Sequence, residues 1–107
     1  MSNERTKTTL LETLLSSKTR IKILRVLIRL REVNITKLTR MTELNHKVVR
    51  YHINVLKEHG IVEEKHIGRI CIIRLNENNP KVKILQELFR ELDIPEQETS
   101  QEQSTSS

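Results

Sequence analysis

The sequence predicts a mainly α-helical domain of the α+β class. Five stretches carry apolar residues at helical spacing. One pair of β-branched runs, separated by Gly68-Arg69, reads as a hairpin. Polar caps and glycine breakers fall between these stretches, where elements need to start and stop.

Leu10, Leu11, Leu14 and Leu15 form one apolar stripe on a helix over residues 4–15. Ser16 or Ser17 then caps a second helix, residues 18–31. Its Lys18, Lys22, Arg25 and Arg29 share a basic face, and Ile21, Ile23, Leu24, Val26, Leu27, Ile28 and Leu30 form a wide apolar one. Val33-Asn34-Ile35 is short and extended. Thr36 is the expected N-cap of a short helix to about residue 41, with Leu38 and Met41 inward. Thr42-Glu43-Leu44 makes a tight turn. Asn45 caps the next helix, from residue 46 to about 58 or 59, and Gly60 ends it. On that helix Val48, Val49, His52, Ile53, Val55 and Leu56 are expected inward. His46, Lys47, Arg50, Tyr51 and Asn54 occupy the remaining surface. Residues 61–67 and 70–75 are the two hairpin strands. Asn79-Pro80 opens a last helix, striped by Val82, Ile84, Leu85, Leu88, Phe89 and Leu92. From Pro95 onward Glu, Gln, Ser and Thr dominate. The expected organisation is therefore one domain, residues 1–94, and a disordered acidic and polar tail, 95–107.

The charge is unevenly spread. Residues 18–57 hold eleven Lys/Arg and two acids, a balance of +9, whereas residues 91–107 hold five acids and no Lys/Arg. A basic body of this kind suits a polyanion, most commonly nucleic acid. A chain of 107 residues with 36% apolar content builds only a small core, which dimerisation would extend. No apolar run approaches the roughly 20 residues that span a bilayer. The polar start, Met1 to Arg5, does not resemble a signal peptide, so a cytoplasmic location is expected. The single Cys71 excludes an internal disulfide and a multi-cysteine zinc site.

A short helix, a tight turn, a second helix and a hairpin, in that order, form a winged helix-turn-helix with a two-stranded wing and flanking N- and C-terminal helices. The string His52-Ile-Asn-Val-Leu56-Lys-Glu-His-Gly60-Ile-Val62 is similar to the end of the recognition helix in the ArsR-like winged-helix repressors. Upstream, Leu15-Ser-Ser-Lys-Thr-Arg20-Ile-Lys-Ile-Leu24 resembles that family's entry helix, and Gly68-Arg69 stands where its wing turns. The resemblance covers about residues 10–92. Two positions depart from it: Thr39 stands where the family often has Ala, and Glu43 where it often has Gly. A non-glycine residue in a left-handed turn costs roughly 1 kcal/mol or more.

The resemblance implies a sequence-specific regulator of transcription that binds double-stranded DNA, in a family whose members often sense metals. The leucine stripes of residues 10–15 and 82–92 exceed what one small core needs, so a homodimer is expected, and neither a catalytic role nor a cofactor is expected. A major groove about 12 Å wide admits one helix. His46, Lys47, Arg50, Tyr51 and Asn54 would then face the duplex, Lys47 on phosphate, Arg50 on guanine and Asn54 on adenine. Tyr51 has the alternative of packing, and Asn54 that of merely solvating the helix. Lys65, His66 and Arg69 would let the wing touch the backbone or minor groove. The Lys18–Arg29 face has two readings, phosphate contact or plain solvation. Leu10, Leu11, Leu14, Leu15, Leu85, Leu88, Phe89 and Leu92 are the expected dimerisation residues. Two rival functions share the fold: an architectural DNA-packaging protein, and a module for protein–protein contact.

No metal site is expected. The short helix 36–41 has no Cys, residues 80–92 have no His, and the four histidines do not cluster in sequence. His52 and His59 would lie about 10.5 Å apart along a helix, too far to share one ion. Cys71 alternates with Ile73 and Leu75, so a buried apolar role is expected, with a redox switch or an intersubunit disulfide as the alternative. No nucleophile–base pair, phosphate loop or carboxylate dyad is evident, and Asp93 is the only aspartate. With Tyr51 and Phe89 the only aromatics, no base-stacking platform is present.

Overall fold

A computed structural model describes residues 8–93. Its elements are α1 (Leu10–Leu15), α2 (Lys18–Leu30), β1 (Glu32–Asn34), α3 (Ile35–Thr42), α4 (His46–Glu58), β2 (Val62–Ile67), β3 (Ile70–Leu75) and α5 (Pro80–Leu92). The first expected turn of α1 and the tail from residue 95 lie outside the described residues.

Each helix begins at a side-chain cap. Thr9 and Glu12 form a reciprocal capping box on α1. Ser17, Asn45 and Asn79 accept backbone N–H bonds at the starts of α2, α4 and α5, and Pro80 opens α5. The cap of α3 is Asn34, which accepts from Lys37 N at 2.7 Å, not the expected Thr36. Asn34 is extended backbone at the end of β1, so the helix can start two residues earlier than its threonine suggests.

The turn between α3 and α4 rests on Glu43, at φ 58° and ψ 34°. This is the left-handed conformation in which a glycine was the more economical residue. The Thr39 and Thr42 hydroxyls donate to the carbonyls of Ile35 and Leu38, both at 2.8 Å, and so satisfy themselves inside α3. At the far end of α4, Gly60 has φ 72° and its carbonyl accepts from Asn76 Nδ2 and Asn79 Nδ2, both at 3.0 Å. That pair ties the end of α4 to the start of α5.

The hairpin is larger than expected. β1 joins it to make a three-stranded antiparallel sheet in the order β1-β3-β2, with Val33 opposite Ile73 and His66 opposite Cys71. Ile23, Leu24, Leu27, Leu38, Val49, Ile53, Leu56, Ile61, Ile73 and Val82 are fully buried, so α2, α3, α4, α5 and the sheet share one core. Two residues expected inside are not there: Met41 is 40% and Val48 37% exposed, because each lies at the flank of its helix's buried stripe. Leu14 and Leu85 are buried within the single chain, whereas Leu11, Ile84 and Leu92 stand exposed. No described helix is long and apolar enough to cross a membrane.

Candidate nucleic-acid interface

The position of α4 is set from behind. Val49, His52, Ile53 and Leu56 recur every three or four residues on one face and are buried. His52 sits in this face because Arg20 of α2 is buried against it. Arg20 Nε donates to His52 Nδ1 at 3.0 Å, and Arg20 Nη1 donates to the carbonyl of Thr13. Nδ1 must therefore carry no proton. Burial and then the neighbouring guanidinium charge push the His52 pKa down, in agreement with that tautomer.

With that face buried, His46, Lys47, Tyr51 and Asn54 are exposed on the opposite one. Tyr51 is 60% exposed and meets the His52 ring edge-on, with centroids 5.1 Å apart. Arg50 is half-buried and turned toward the wing. Its Nη1 donates to Glu64 Oε1 at 2.8 Å and its Nη2 lies 3.5 Å from Cys71 Sγ. Lys57 Nζ reaches the same Glu64 Oε1 at 2.8 Å. Hydrogen bonds from Arg50, Lys57 and the Cys71 thiol hold the Glu64 carboxyl far below the usual carboxylate range. The Arg50 pKa rises, chiefly through its hydrogen bond to Glu64.

Strand alternation separates the wing residues. Glu64 and His66 share the sheet face of Cys71 and turn toward α4. Lys65 falls on the other face, in a shallow depression with Glu63 and Arg74. Arg69 is at the wing turn and lines an open groove of about 540 Å³ between α3, α4 and the wing. His46, Arg50 and Arg40 line the same groove. Of the expected contact residues, the groove unites His46, Arg50 and Arg69; Lys47, Tyr51 and Asn54 lie on exposed α4, and Lys65 is apart.

Arg40 is the residue that sequence reasoning did not single out. It was part of the basic block, but only the packing of α3 against α4 brings it to the groove. Glu64 and Cys71 were likewise not expected as partners of Arg50. The four groups around Glu64 come from three elements, Arg50 and Lys57 from α4, His66 from β2 and Cys71 from β3, and their meeting depends on how the hairpin folds over α4. Although the histidines do not cluster with one another, Glu64, His66 and Cys71 place their donor atoms within 4.8 Å. Cys71 is buried beside Ile73 and Leu75 as expected, yet its thiol donates to Glu64 Oε2 at 3.1 Å rather than meeting only apolar neighbours. Burial, and then Glu64, raise its pKa.

The Lys18–Arg29 face is partly used within the chain, since Arg25 pairs with Asp93 at 2.7 Å. At the other side of the molecule Leu15, Ile21, Leu88, Phe89 and Leu92 line an apolar groove of about 190 Å³.

Comparison with known proteins places this geometry. Residues 17–64, from the cap of α2 to mid-β2, match the profile of the arsR family of bacterial regulatory proteins. The fold is similar to that of the AntR antimony-specific transcriptional repressor, at 23% identity and a TM-score of 0.68, covering 94% of this chain and 86% of that one. It is equally similar to the transcriptional repressor BigR from Xylella fastidiosa, with 23% identity, TM-score 0.68 and coverage of 88% and 90%. A homodimeric winged helix-turn-helix DNA-binding domain from Mycobacterium bovis, described as a possible ArsR-family regulator, matches at 22% identity and TM-score 0.62, over 75% of this chain and 71% of that one. No curated protein sequence matches the chain at a significant level.

Proposed function

We propose, from the arsR-type helix-turn-helix carried by residues 17–64, that this chain is a homodimeric, sequence-specific DNA-binding regulator of transcription. The observation that carries the reading is the outer face of α4. Its inner face is anchored in the core, and His46, Lys47, Tyr51 and Asn54 are exposed beside a groove lined by Arg40, Arg50 and Arg69. A helix presented in this way fits the major groove. Lys47 then neutralises phosphate, and Asn54 and Arg50 read base edges, with Arg50 released from Glu64 as it does so. His66 and Arg69 bring the wing to the backbone or minor groove. Lys65 supports the same contact from the opposite sheet face.

The dimer reading rests on the exposed apolar ends. Leu11, Ile84 and Leu92 are 64%, 67% and 73% exposed, on two helices flanking an apolar groove. Burying such a patch against a second copy removes apolar area from water. Leu10, Leu15, Leu88 and Phe89 complete the interface, while Leu14 and Leu85 support it from the core. Residues 1–94 act as this DNA-binding and dimerisation domain, and residues 95–107 as a polar tail. The protein acts as a regulator, not an enzyme, and in the cytoplasm.

The test is the salt dependence of DNA affinity in Lys47→Ala. The residue is exposed, so stability is expected to be unchanged while affinity falls uniformly across sequences and the log–log salt slope shrinks by about 1. An unchanged affinity and slope would contradict the assignment of α4.

A further inference from the structure

We propose that Glu64, His66 and Cys71 form a binding site for a divalent transition metal such as Zn²⁺ on the inner face of the wing. All three residues sit on one hairpin. His66 lies directly opposite Cys71 in the register, and Glu64 is two residues before His66, so the pleat turns all three side chains to the same face. Their donor atoms lie within 4.8 Å of one another. Zinc bonds of about 2.0–2.3 Å in a tetrahedron require donors roughly 3.5 Å apart, a small rotamer adjustment from this arrangement. One thiolate, one imidazole and one carboxylate are a donor set that suits a borderline-soft ion.

The two oxygens of Glu64 have separate duties. Oε1 is held by Arg50 and Lys57, both at 2.8 Å. Oε2 faces His66 Nε2 and Cys71 Sγ, both at 3.1 Å. An ion bound to Oε2 therefore leaves the cationic pair on Oε1 in place, as hydrogen-bonded partners that orient the ligating carboxylate. On binding, the Cys71 thiol gives its proton to solvent and His66 presents Nε2 with its proton on Nδ1. The Cys71 thiolate brings a negative charge to the ion, the Glu64 charge is shared with Arg50 and Lys57, and exposed His66 keeps a path open to solvent. A fourth ligand, water or a small anion, completes the tetrahedron. Bonds to the ion would replace the hydrogen bonds that now join Cys71 and His66 to Glu64.

Cobalt(II) is the probe, added to the reduced full-length chain. The expected result is one ion per chain, with a thiolate-to-cobalt charge-transfer band and the intense visible bands of tetrahedral cobalt, both removed by an equivalent of zinc. Cys71→Ser removes the charge-transfer band. His66→Gln changes an exposed side chain and leaves the fold intact, and is expected to weaken cobalt binding at least tenfold. His59→Gln, remote from the cluster, leaves binding unchanged. No charge-transfer band at millimolar cobalt would overturn the proposal. So would a band that His66→Gln and Glu64→Gln leave at full affinity, since the thiol alone would then be the ligand.

Discussion

His52 and Arg20 show how a single pair can fix the attitude of a helix. Among the described residues the buried Arg20 guanidinium pairs with no carboxylate, which is tolerable because its N–H groups find an imidazole nitrogen and a backbone carbonyl. The arrangement requires neutral His52. Its folded pKa is depressed, so the unfolded chain takes up the proton first as pH falls. Stability from this pair is complete above the ordinary histidine value of about 6.5, is lost as pH drops from there to the depressed value, and declines no further below it. Urea midpoints at about pH 7.5 and 5.5 should therefore differ more in the wild type than in His52→Asn, which keeps an acceptor but does not titrate. Equal differences would contradict this account. Glu64 is the corresponding residue on the wing. Glu64→Gln removes charge-assisted bonds from Arg50 and Lys57, both partly solvated, and should cost about 1–2 kcal/mol near neutral pH by chemical denaturation. A variant as stable as the wild type would show that solvent screens these pairs completely.

Among the elements, the turns carry the most exacting local requirements. Gly60 and Gly68 both have positive φ, but a Cβ at Gly60 would lie 3.3 Å from Asn79 Nδ2, and one at Gly68 would meet nothing within 4 Å. Gly60→Ala should accordingly lose more stability than Gly68→Ala, about 2 kcal/mol against about 1. Equal losses would mean that Asn79 moves aside freely. Glu43 presents the reverse case: Glu43→Gly should raise stability by roughly 0.5–1 kcal/mol in chemical denaturation. The sequence signals for α2, α4, α5 and the hairpin were strong because each has its own periodicity and its own cap. Asn34 and Thr36 compete for one cap, and only the pairing of β1 with β3 decides for Asn34. Met41 and Val48 misled for a related reason, since periodicity marks a stripe but not how far its neighbours cover it. The exposed side chains of α4 were legible from the helical period. The cluster of Arg50, Glu64, His66 and Cys71 was not, because it depends on a hairpin face meeting a helix, a contact between residues up to 21 positions apart.

At the scale of the whole molecule, two surfaces have complementary chemistry. One is basic and built around α4. The other is apolar and built from α1, α2 and α5. The proposed dimer requires that a two-fold axis through the apolar surface set two copies of α4 about 34 Å apart, the spacing of successive major grooves. Leu92→Glu puts a charge on a side chain that is 73% exposed in one chain, so folding should survive while the dimer dissociates. Sedimentation should then report a monomer at micromolar concentration and DNA affinity should collapse; an unchanged dimer would place the interface elsewhere. The central claim, a dimeric sequence-specific regulator, is tested most directly by selection. Purified protein is mixed with genomic DNA fragments at two salt concentrations, and the bound fragments are sequenced. The account predicts enrichment of one palindromic site, with binding that falls steeply as salt rises. Salt-sensitive binding without enrichment would contradict sequence specificity and point to a packaging role, and no binding at either salt would contradict a DNA-binding function altogether.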